Sequence, residues 1–256
     1  MIFDTHAHYD DEAFDEDREA LLGSMAEGGV GRIVNVGASM ETSAATIALT
    51  KQYDFIYGAV GVHPSETGAM KESDLKQLEE WASLEKIVAI GEIGLDYHYD
   101  EPAREVQHRW FEAQMELARS VRLPIIVHSR DAAKDTVDMM KSLHAGEIGG
   151  VVHCYSYSKE LAREFLDMDY YFGIGGVLTF PKAAKLKEAV EYIPMERLVL
   201  ETDCPYLAPV PNRGKRNSSL NISYVAEVLA QIKEITREEA ETITFENARR
   251  LYRMDE

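Results

Sequence analysis

Two histidines separated by one residue follow a short apolar run at the start of the chain. His6 and His8 project from the same side of a β-strand, because side chains alternate between the two faces of a strand. Two neutral imidazoles at the C-terminal end of a strand suit a borderline divalent metal, and a hydrolytic metal site needs more ligands from elsewhere. The alternative is a pair of ordinary surface or turn histidines, and the rest of the chain decides between them.

Length, composition and charge limit the class of protein. The chain has 256 residues, 45% of them hydrophobic, which is enough for one large α/β barrel or two small domains. No Ser/Gly/Pro-rich linker divides it, so we expect one domain over residues 1–256. A formal net charge of −18 argues against a generally basic surface that binds nucleic acid.

The cysteines and the N-terminus indicate the compartment. Cys154 and Cys204 are the only cysteines, and they provide no disulfide framework of the secreted kind. The chain starts without a basic segment followed by an apolar stretch, and the histidine pair comes too early for a removable leader. No apolar run is long enough to span a membrane. We therefore expect a cytoplasmic protein that does not bind membranes.

Strand and helix patterns alternate along the whole chain. Apolar strands are predicted at residues 2–8, 32–37, 56–64, 87–96, 124–128, 150–154, 170–174 and 198–203. Helices are predicted at 13–25, 42–52, 74–84, 106–121, 132–143, 159–166 and 183–192, and in the C-terminal part, whose last stretch starts at a capping box of Thr236 and Glu239. This alternation predicts an α/β fold, the (β/α)₈ TIM barrel. A doubly wound open sheet is the alternative, weakened because no Gly-rich phosphate loop follows the first strand.

Functional groups of such a barrel lie at the C-terminal ends of its strands. Six candidate metal ligands fall there: His6, His8, Glu92, His128, His153 and Asp203. Four imidazoles and two carboxylates are more than one tetrahedral ion can use, so the set favours two divalent cations bridged by a carboxylate and a hydroxide. Glu92 is the expected bridge, since no lysine at the end of the fourth or fifth strand could be carbamylated instead. Two such ions acidify a bound water and hold the attacking and leaving oxygens of a phosphodiester.

Eight motifs extend nearly from one end of the chain to the other. They are Asp4–His8, Gly61–Pro64, Gly91–Tyr97, Pro124–Arg130, His153–Ser156, Glu201–Pro209, Arg213–Asn217 and Phe245–Ala248. On these motifs the chain resembles the TatD-type metal-dependent deoxyribonucleases of the amidohydrolase superfamily. It differs from the family pattern at Cys204, where serine is usual, and at Ser218–Leu220, where proline is expected. Because neighbours on a strand face opposite sides, Cys204 is expected to point away from the metal.

The resemblance implies a deoxyribonuclease, often a 3′–5′ exonuclease, that acts on single-stranded DNA or on 3′ ends. It also implies two divalent cations, with Mg²⁺, Mn²⁺ and Zn²⁺ as the candidates. For the assembly, we expect a monomer. One ion is expected on His6, His8 and Asp203, and the other on His128 and His153, with Glu92 between them.

Further roles follow from position in the motifs. Asp203 is also the expected general base, which takes a proton from the attacking water. His63 is expected to contact the phosphate or the leaving group, with a structural role as the alternative. Glu201 is expected to orient a ligand histidine. Arg130 is a candidate phosphate clamp, although a salt bridge to a loop carboxylate fits it equally well.

A basic loop follows the eighth strand and offers local positive charge to an anionic substrate. It contains Arg213, Lys215 and Arg216, and its alternative interpretation is a solvated loop. Tyr97 and Tyr155 are candidates to stack on bases. By contrast, His108 lies off the apolar stripe of its helix, and we assign it to solvent with no function.

Two other classes of function compete with the nuclease. The same metal pair activates water against a carbonyl, so a hydrolase of a lactone, amide or aminoacyl ester is the main alternative. The basic loop favours phosphate. A catalytically inactive scaffold that binds nucleic acid or a protein is less favoured, because all six candidate ligands are present.

Overall fold

The computed structural model describes residues 1–98 and 101–254. Its strands are β1 (Ile2–Ala7), β2 (Val30–Val36), β3 (Ile56–Val60), β4 (Ile87–Asp96), β5 (Ile125–Arg130), β6 (Gly150–Val152), β7 (Tyr171–Ile174) and β8 (Leu198–Leu200). Its α-helices are α1 (Arg18–Gly23), α2 (Met40–Gln52), α3 (Glu72–Ala82), α4 (Arg104–Val121), α5 (Ala133–Ser142), α6 (Lys159–Leu166), α7 (Ala184–Tyr192), α8 (Ile222–Lys233) and α9 (Arg237–Leu251).

The strands form a single parallel sheet in the order β1 to β8, with each strand paired to the next along the chain. Among the described residues, the first and last strands share no regular ladder. They meet at an isolated parallel bridge between Ala7 and Cys204 and through backbone hydrogen bonds such as that from the N–H of Asp203 to the carbonyl of His6 at 2.9 Å. The sheet therefore curves into a nearly closed barrel with helices between successive strands. The predicted (β/α)₈ barrel is confirmed.

Side chains complete the seam between β1 and β8. The buried carboxylate of Asp4 accepts hydrogen bonds from the backbone N–H of Thr202 at 3.0 Å and from its hydroxyl at 2.6 Å. The hydroxyl of Ser219 donates to the same carboxylate at 2.6 Å. Burial raises the pKa of Asp4 to about 7 against the opposing effect of these hydrogen bonds. The seam is thus closed by a buried polar cluster in place of a regular ladder.

Two apolar clusters hold the barrel together. The larger lies between the sheet and the helices around it. The smaller draws buried side chains from most of the strands and packs against Leu251 and Tyr252 at the end of α9, so it fills the inside of the barrel. The hydroxyl of Tyr252 donates to the carbonyl of Thr5 at 2.9 Å. The last helix therefore closes the N-terminal face of the barrel, opposite the ends that carry the predicted ligands.

The predicted capping box of α9 is confirmed. The Thr236 hydroxyl accepts from the backbone N–H of Glu239 at 3.1 Å, and the Glu239 carboxylate accepts from the backbone N–H of Thr236 at 2.8 Å. Among the described residues, no helix has the length and apolar character needed to cross a membrane.

The single helix predicted over residues 13–25 is wrong. The structure has a 3₁₀ turn at Glu12–Phe14 and a short α1 that ends well before the glycines at 28–29. The Arg18 guanidinium explains the break, because it donates to the carbonyl of Tyr9 at 2.5 Å and to the carboxylate of Asp15 at 2.6 Å. These contacts hold the preceding loop in a compact, non-helical path.

Three strands end two or more residues earlier than predicted. β3 ends at Val60, β6 at Val152 and β8 at Leu200, so the segments that carry several site residues are loops. Asp203 has a left-handed backbone, with φ of 56°. The alternation of side chains along a strand therefore does not apply to Cys204, which follows Asp203. The argument that alternation turns Cys204 away from the metal is wrong. Cys204 is fully buried against Ala7, and both cysteines are free.

Candidate metal centre

The six predicted ligands come together at the C-terminal ends of the strands. They are supplied by His6 in β1, His8 just after it, Glu92 in β4, His128 in β5, His153 after β6 and Asp203 after β8. All except His6 line a cavity of about 550 Å³, which His63 also lines. His6 is 1% exposed and lies behind the cavity wall. The barrel thus places side chains that are up to 197 positions apart in the sequence (203 − 6 = 197) around one opening.

Two histidines and a carboxylate form one side of the centre. Nε2 of His6 lies 3.1 Å from Nε2 of His8. Asp203 Oδ1 lies 3.8 Å from Nε2 of His6 and 3.3 Å from Nε2 of His8. Nδ1 of His8 contacts the carbonyl of Val36 at 2.8 Å, which fixes the ring and leaves Nε2 for the cavity. These three side chains form one of the sets whose donor atoms all lie within 4.8 Å of one another.

Glu92 lies in the middle of the centre and is 4% exposed. Its Oε2 lies 3.5 Å from Nε2 of His6, toward the first side. Its Oε1 lies 2.6 Å from Nδ1 of His128 and 3.6 Å from Nε2 of His153, toward the second side. Each carboxylate oxygen of Glu92 therefore faces different histidines.

His128 has a second carboxylate partner that the sequence analysis missed. Asp96 Oδ2 lies 3.1 Å from Nε2 of His128, on the far side of the ring from Glu92. Asp96 is 6% exposed. A signal for it was present, because Glu92 and Asp96 are four residues apart on β4, and an even spacing puts both on one face.

His63 lies against the second side of the centre. Its ring meets that of His128 edge-on, with centroids 4.2 Å apart. Its Nδ1 accepts from the backbone N–H of Ser65 at 3.2 Å. Burial and then the charge of His128 lower the pKa of His63 to about 3, so its imidazole is neutral at physiological pH. A neutral imidazole whose Nδ1 accepts carries its hydrogen on Nε2, where it can donate.

The titratable groups of the centre form a strongly coupled network. Burial would raise the pKa of Glu92, but the charges of His153 and His128 hold it well below the usual value. Burial would lower the pKa of the histidines, but nearby carboxylates together outweigh it. Asp203, Glu92 and Asp10 raise the pKa of His8 to about 9, and Glu201, Glu92 and Asp203 raise that of His153 to about 10. Buried positive charge is therefore favoured between these carboxylates.

This donor set fits divalent cations. Imidazole nitrogen and carboxylate oxygen suit Zn²⁺, Mn²⁺ and Fe²⁺, and the carboxylates also suit Mg²⁺. A second set with donor atoms within 4.8 Å consists of His63, Glu92 and His128. Imidazole and carboxylate groups surround a buried space here. Burying the carboxylate charge would be costly without a cation to compensate it.

Glu201 is placed behind the histidines, away from the cavity. It is 1% exposed, and its Oε1 lies 3.1 Å from Nδ1 of His153. The two atoms lie within ion-pair distance but are not aligned as a hydrogen bond. Nδ1 of His153 has no aligned hydrogen-bond partner among the described residues. Oε1 also accepts from the backbone N–H of Cys154 at 2.6 Å.

The four basic residues predicted to bind substrate lie outside the cavity lining that the structure describes. Arg130 is exposed at the end of β5, and Lys215 is exposed in its loop. The Arg213 guanidinium lies 4.5 Å from the ring centroid of Phe180. Arg216 donates to both carboxylate oxygens of Asp17, at 2.8 and 2.6 Å, and so helps to anchor the loop.

Acidic side chains that the sequence analysis did not single out line the cavity mouth. Asp10, Asp11, Glu12 and Glu41 lie there, together with Tyr206, whose hydroxyl donates to Asp11 at 2.8 Å. The run from Asp10 to Glu12 begins two residues after His8, so its place near the end of β1 could have been predicted from the barrel. The mouth is therefore negatively charged.

The assignment of Tyr155 to base stacking is wrong. Tyr155 is 2% exposed and packs edge-on against Phe172, so it is not available to stack on a base. The His108 side chain is 37% exposed, as predicted, but it also has a partner, because its Nε2 lies 2.5 Å from the hydroxyl of Tyr97.

Comparisons with known proteins match the chain over nearly its whole length. The family model described as TatD related DNase matches residues 3–253. Over 255 residues the chain is 46% identical to the "Uncharacterized metal-dependent hydrolase YabD" of Bacillus subtilis, with 100% of both chains covered. It is 34% identical to the similarly named YcfH of Escherichia coli K12 over 258 residues, with 100% of this chain and 97% of YcfH covered. The crystal structure of YjjV, a TatD homologue from Escherichia coli K12, superposes with a TM-score of 0.92 at 32% identity, covering 98% of each chain.

Proposed function

The chain belongs to the family of TatD-related DNases, and we propose that it is a deoxyribonuclease that hydrolyses phosphodiester bonds with two divalent cations. The coarser class, a metal-dependent hydrolase, follows from the family and from the candidate metal-binding residues. The specific reaction is the removal of nucleotides from the 3′ end of DNA, by a monomer in the cytoplasm.

The observation that carries the proposal is the position of Glu92. One of its oxygens faces His6, and the other faces His128 and His153. A carboxylate with donor groups on both sides is suited to bridge two cations. His6, His8 and Asp203 would hold one ion, and His128 and His153 the other, with Glu92 shared between them.

When bound, two such cations supply Lewis-acid activation of water and offset charge on the phosphodiester. The protein supplies the proton acceptor and the hydrogen-bond donor. Asp203 is 18% exposed at its side chain and its pKa is held below the usual value, since the positive charge of His153 and the hydrogen bond from His8 oppose the effect of burial. An ionised carboxylate that reaches the cavity can accept a proton from the attacking water. His63 presents Nε2–H to a phosphate oxygen or to the leaving group.

Charge at the cavity mouth limits how DNA can bind. The acidic residues from Asp10 to Glu12 and at Glu41 repel a long polyanion, while bound cations attract a phosphate locally. A strand end brings few phosphates to the mouth, so this charge distribution favours an exonuclease over an enzyme that grips a long duplex. The exposed loop of Arg213 and Lys215 then contacts phosphates further along the strand.

A second candidate is the hydrolysis of a carbonyl substrate, such as a lactone, amide or aminoacyl ester. The acidic mouth favours it, because none of the described residues that line the cavity is a lysine or an arginine. An uncharged or cationic substrate would enter without repulsion. The ligand set serves either reaction, since activated water attacks carbonyl carbon and phosphorus alike.

A digestion experiment separates the two candidates. Metal-stripped protein is given a 5′-labelled single-stranded oligonucleotide, with Mg²⁺, Mn²⁺ or Zn²⁺ added back, and a Glu92→Ala variant is run alongside. A metal-dependent ladder that shortens from the 3′ end, and that the variant does not produce, supports the nuclease. Inert DNA with all three ions, together with turnover of esters or lactones, would reject the nuclease in favour of the carbonyl hydrolase.

A further inference from the structure

His6 and His153 are held as a stacked pair, although they come from β1 and from the loop after β6. Their ring centroids are 3.5 Å apart, and the rings are inclined by 20°. Both rings present Nε2 to the same two carboxylates, since each Nε2 lies within 3.8 Å of Glu92 and of Asp203. The two Nδ1 atoms therefore lie on the other side of the rings, away from the cavity.

Polar atoms without aligned partners are concentrated behind this pair. Among the described residues, the buried side-chain atoms of the centre without a hydrogen bond are Nδ1 of His6, Nδ1 of His153 and Oε2 of Glu201. Donor atoms of these three residues lie within 4.8 Å of one another. Buried polar groups are nearly always satisfied, so three in one place point to a shared arrangement.

The chemistry of cation binding supplies the missing donors. An imidazole that binds a cation through Nε2 is neutral and carries its hydrogen on Nδ1, and that hydrogen needs an acceptor. Two such histidines present two N–H groups toward Glu201. Its carboxylate has two oxygens, and Oε1 already lies 3.1 Å from Nδ1 of His153.

We propose that Glu201 is a positioning residue shared by both histidines, with Oε1 serving His153 and Oε2 serving His6. This inference rests on the proposed function in one respect, because that function assigns the two histidines to different cations. A single buried carboxylate then fixes the hydrogen position and ring orientation of one ligand from each cation site. Binding at the two sites is coupled through it.

The surroundings of Glu201 keep its carboxylate in place. The backbone N–H of Cys154 donates to Oε1 at 2.6 Å. A Cβ atom at Gly173 would lie 2.0 Å from Oε2, so only glycine at this position of β7 leaves space for that oxygen. The carboxylate is thus held in one orientation, with Oε1 toward Cys154 and His153.

This orientation makes the effect of an amide specific. In a Glu201→Gln variant, the Cys154 N–H retains the amide oxygen at the Oε1 position, and the NH₂ group faces His6. A donor there favours the His6 form whose hydrogen is on Nε2, and this form cannot bind a cation through that nitrogen. Glutamine should therefore impair His6 and spare His153, whereas alanine removes the acceptor of both.

The test measures Zn²⁺ binding to metal-stripped wild-type, Glu201→Gln and Glu201→Ala proteins by calorimetry, with Glu160→Gln on the exposed face of α6 as the matched control. We expect about 10–100-fold weaker binding of one equivalent in the glutamine variant and of both in the alanine variant. The control should match wild type. Equal binding in all four proteins, or loss of only one equivalent in the alanine variant, would overturn the shared role.

NMR of the zinc-loaded protein gives a second readout that does not depend on two cations. Wild type should show Nδ1–H resonances for both His6 and His153, and the glutamine variant should keep only that of His153. Gly173→Ala displaces Oε2 from its place and should therefore also lose the His6 resonance. This variant takes the place of Glu201→Ala in the test if Glu201→Ala does not fold. Uptake of a single equivalent by wild type would reject the two-cation function, while an unchanged pair of resonances in both variants would reject the role of Glu201.

Discussion

Nε2 of His6 and Nε2 of His8 lie 3.1 Å apart, a separation at which both nitrogens cannot carry hydrogens. Burial and then the charge of His153 lower the pKa of His6, whereas Asp203 raises that of His8 to about 9 against the effect of burial. In the metal-free protein the pair therefore shares one proton at neutral pH. A cation that binds between the two nitrogens must displace it.

Metal affinity should therefore increase with pH. The raised pKa values of His8, His128 and His153, about 9, 8 and 10, mean that these groups hold protons at pH 7 until a cation replaces them. We expect the apparent affinity for Zn²⁺ to rise between pH 6 and pH 8 by about tenfold per unit for each proton displaced. Calorimetry in buffers of different ionisation enthalpy counts the protons released. An affinity that does not change with pH would contradict the protonated network.

Replacing Glu92 by alanine should abolish turnover and leave a folded barrel. The carboxylate faces histidines on both sides, while the apolar clusters do not include it. We expect kcat/KM to fall by at least about 100-fold, or about 2.7 kcal/mol of transition-state stabilisation, with unchanged far-UV circular dichroism. Glu85→Ala, at an exposed position just before β4, is the control. Retained activity would reject Glu92 as the bridge.

His63 should act as a neutral donor throughout the working pH range. With its pKa lowered to about 3 by burial, it does not titrate between pH 6 and pH 9. His63→Ala should lower kcat/KM by about 100-fold, as loss of one preorganised donor does, without altering the shape of the pH profile. The profile is measured with both proteins under saturating metal. Disappearance of an acidic limb in the variant would mean that His63 titrates during catalysis.

Lys215 should contribute a phosphate contact. It is exposed in the loop after β8, and unlike Arg216 it has no carboxylate partner among the described contacts. Lys215→Ala should raise KM for DNA and reduce the slope of log binding constant against log salt by about 1. Lys76→Ala on α3 removes the same charge from an exposed helix and should leave the slope unchanged. Equal salt-dependence slopes in the two variants would mean that the loop is solvated and makes no phosphate contact.

Gly94 should be essential for the stability of the β4–β5 pair. It has φ of +150°, and an added Cβ would lie 1.9 Å from the carbonyl oxygen of His128. Gly149 has φ of +76° but no atom within 4 Å of its added Cβ, so Gly149→Ala measures the backbone cost alone. We expect Gly94→Ala to reduce the free energy of unfolding by about 1–3 kcal/mol more than the control. Urea denaturation of the two variants provides the comparison.

The fold and the clustering of most candidate ligands could be predicted because both depend on local periodicity. The spacing of His6 and His8 places them on one face of β1, and the apolar strands predict the barrel that brings them to Glu92. Asp203 was found by its position after a strand, but its left-handed backbone was not, because φ there is decided by the contacts of the seam. The break before α1 was missed because the Arg18 side chain reaches back to the carbonyls of Tyr9 and Asp11, and the apolar pattern of residues 13–25 does not show this contact.

Substrate contacts were predicted less well, because they depend on which partner a long side chain finds. Arg216 looked free to bind phosphate in a basic run, yet it pairs with Asp17, which is 199 positions away. Tyr155 lies in a matching motif, but packing against Phe172 buries it. Neither partner can be recognised from nearby sequence.

The seam at Asp4 also determines when the centre comes into existence. Asp4 and Thr202 are 198 positions apart, and the first histidines and Asp203 flank this contact. The N-terminal strand leaves the ribosome long before its last partner has been synthesised. During that interval the growing chain carries His6 and His8 without the carboxylate that completes their side of the cavity. Hydrolytic capacity therefore depends on a contact between two segments 198 positions apart, and a growing chain that lacks the second segment has no complete centre.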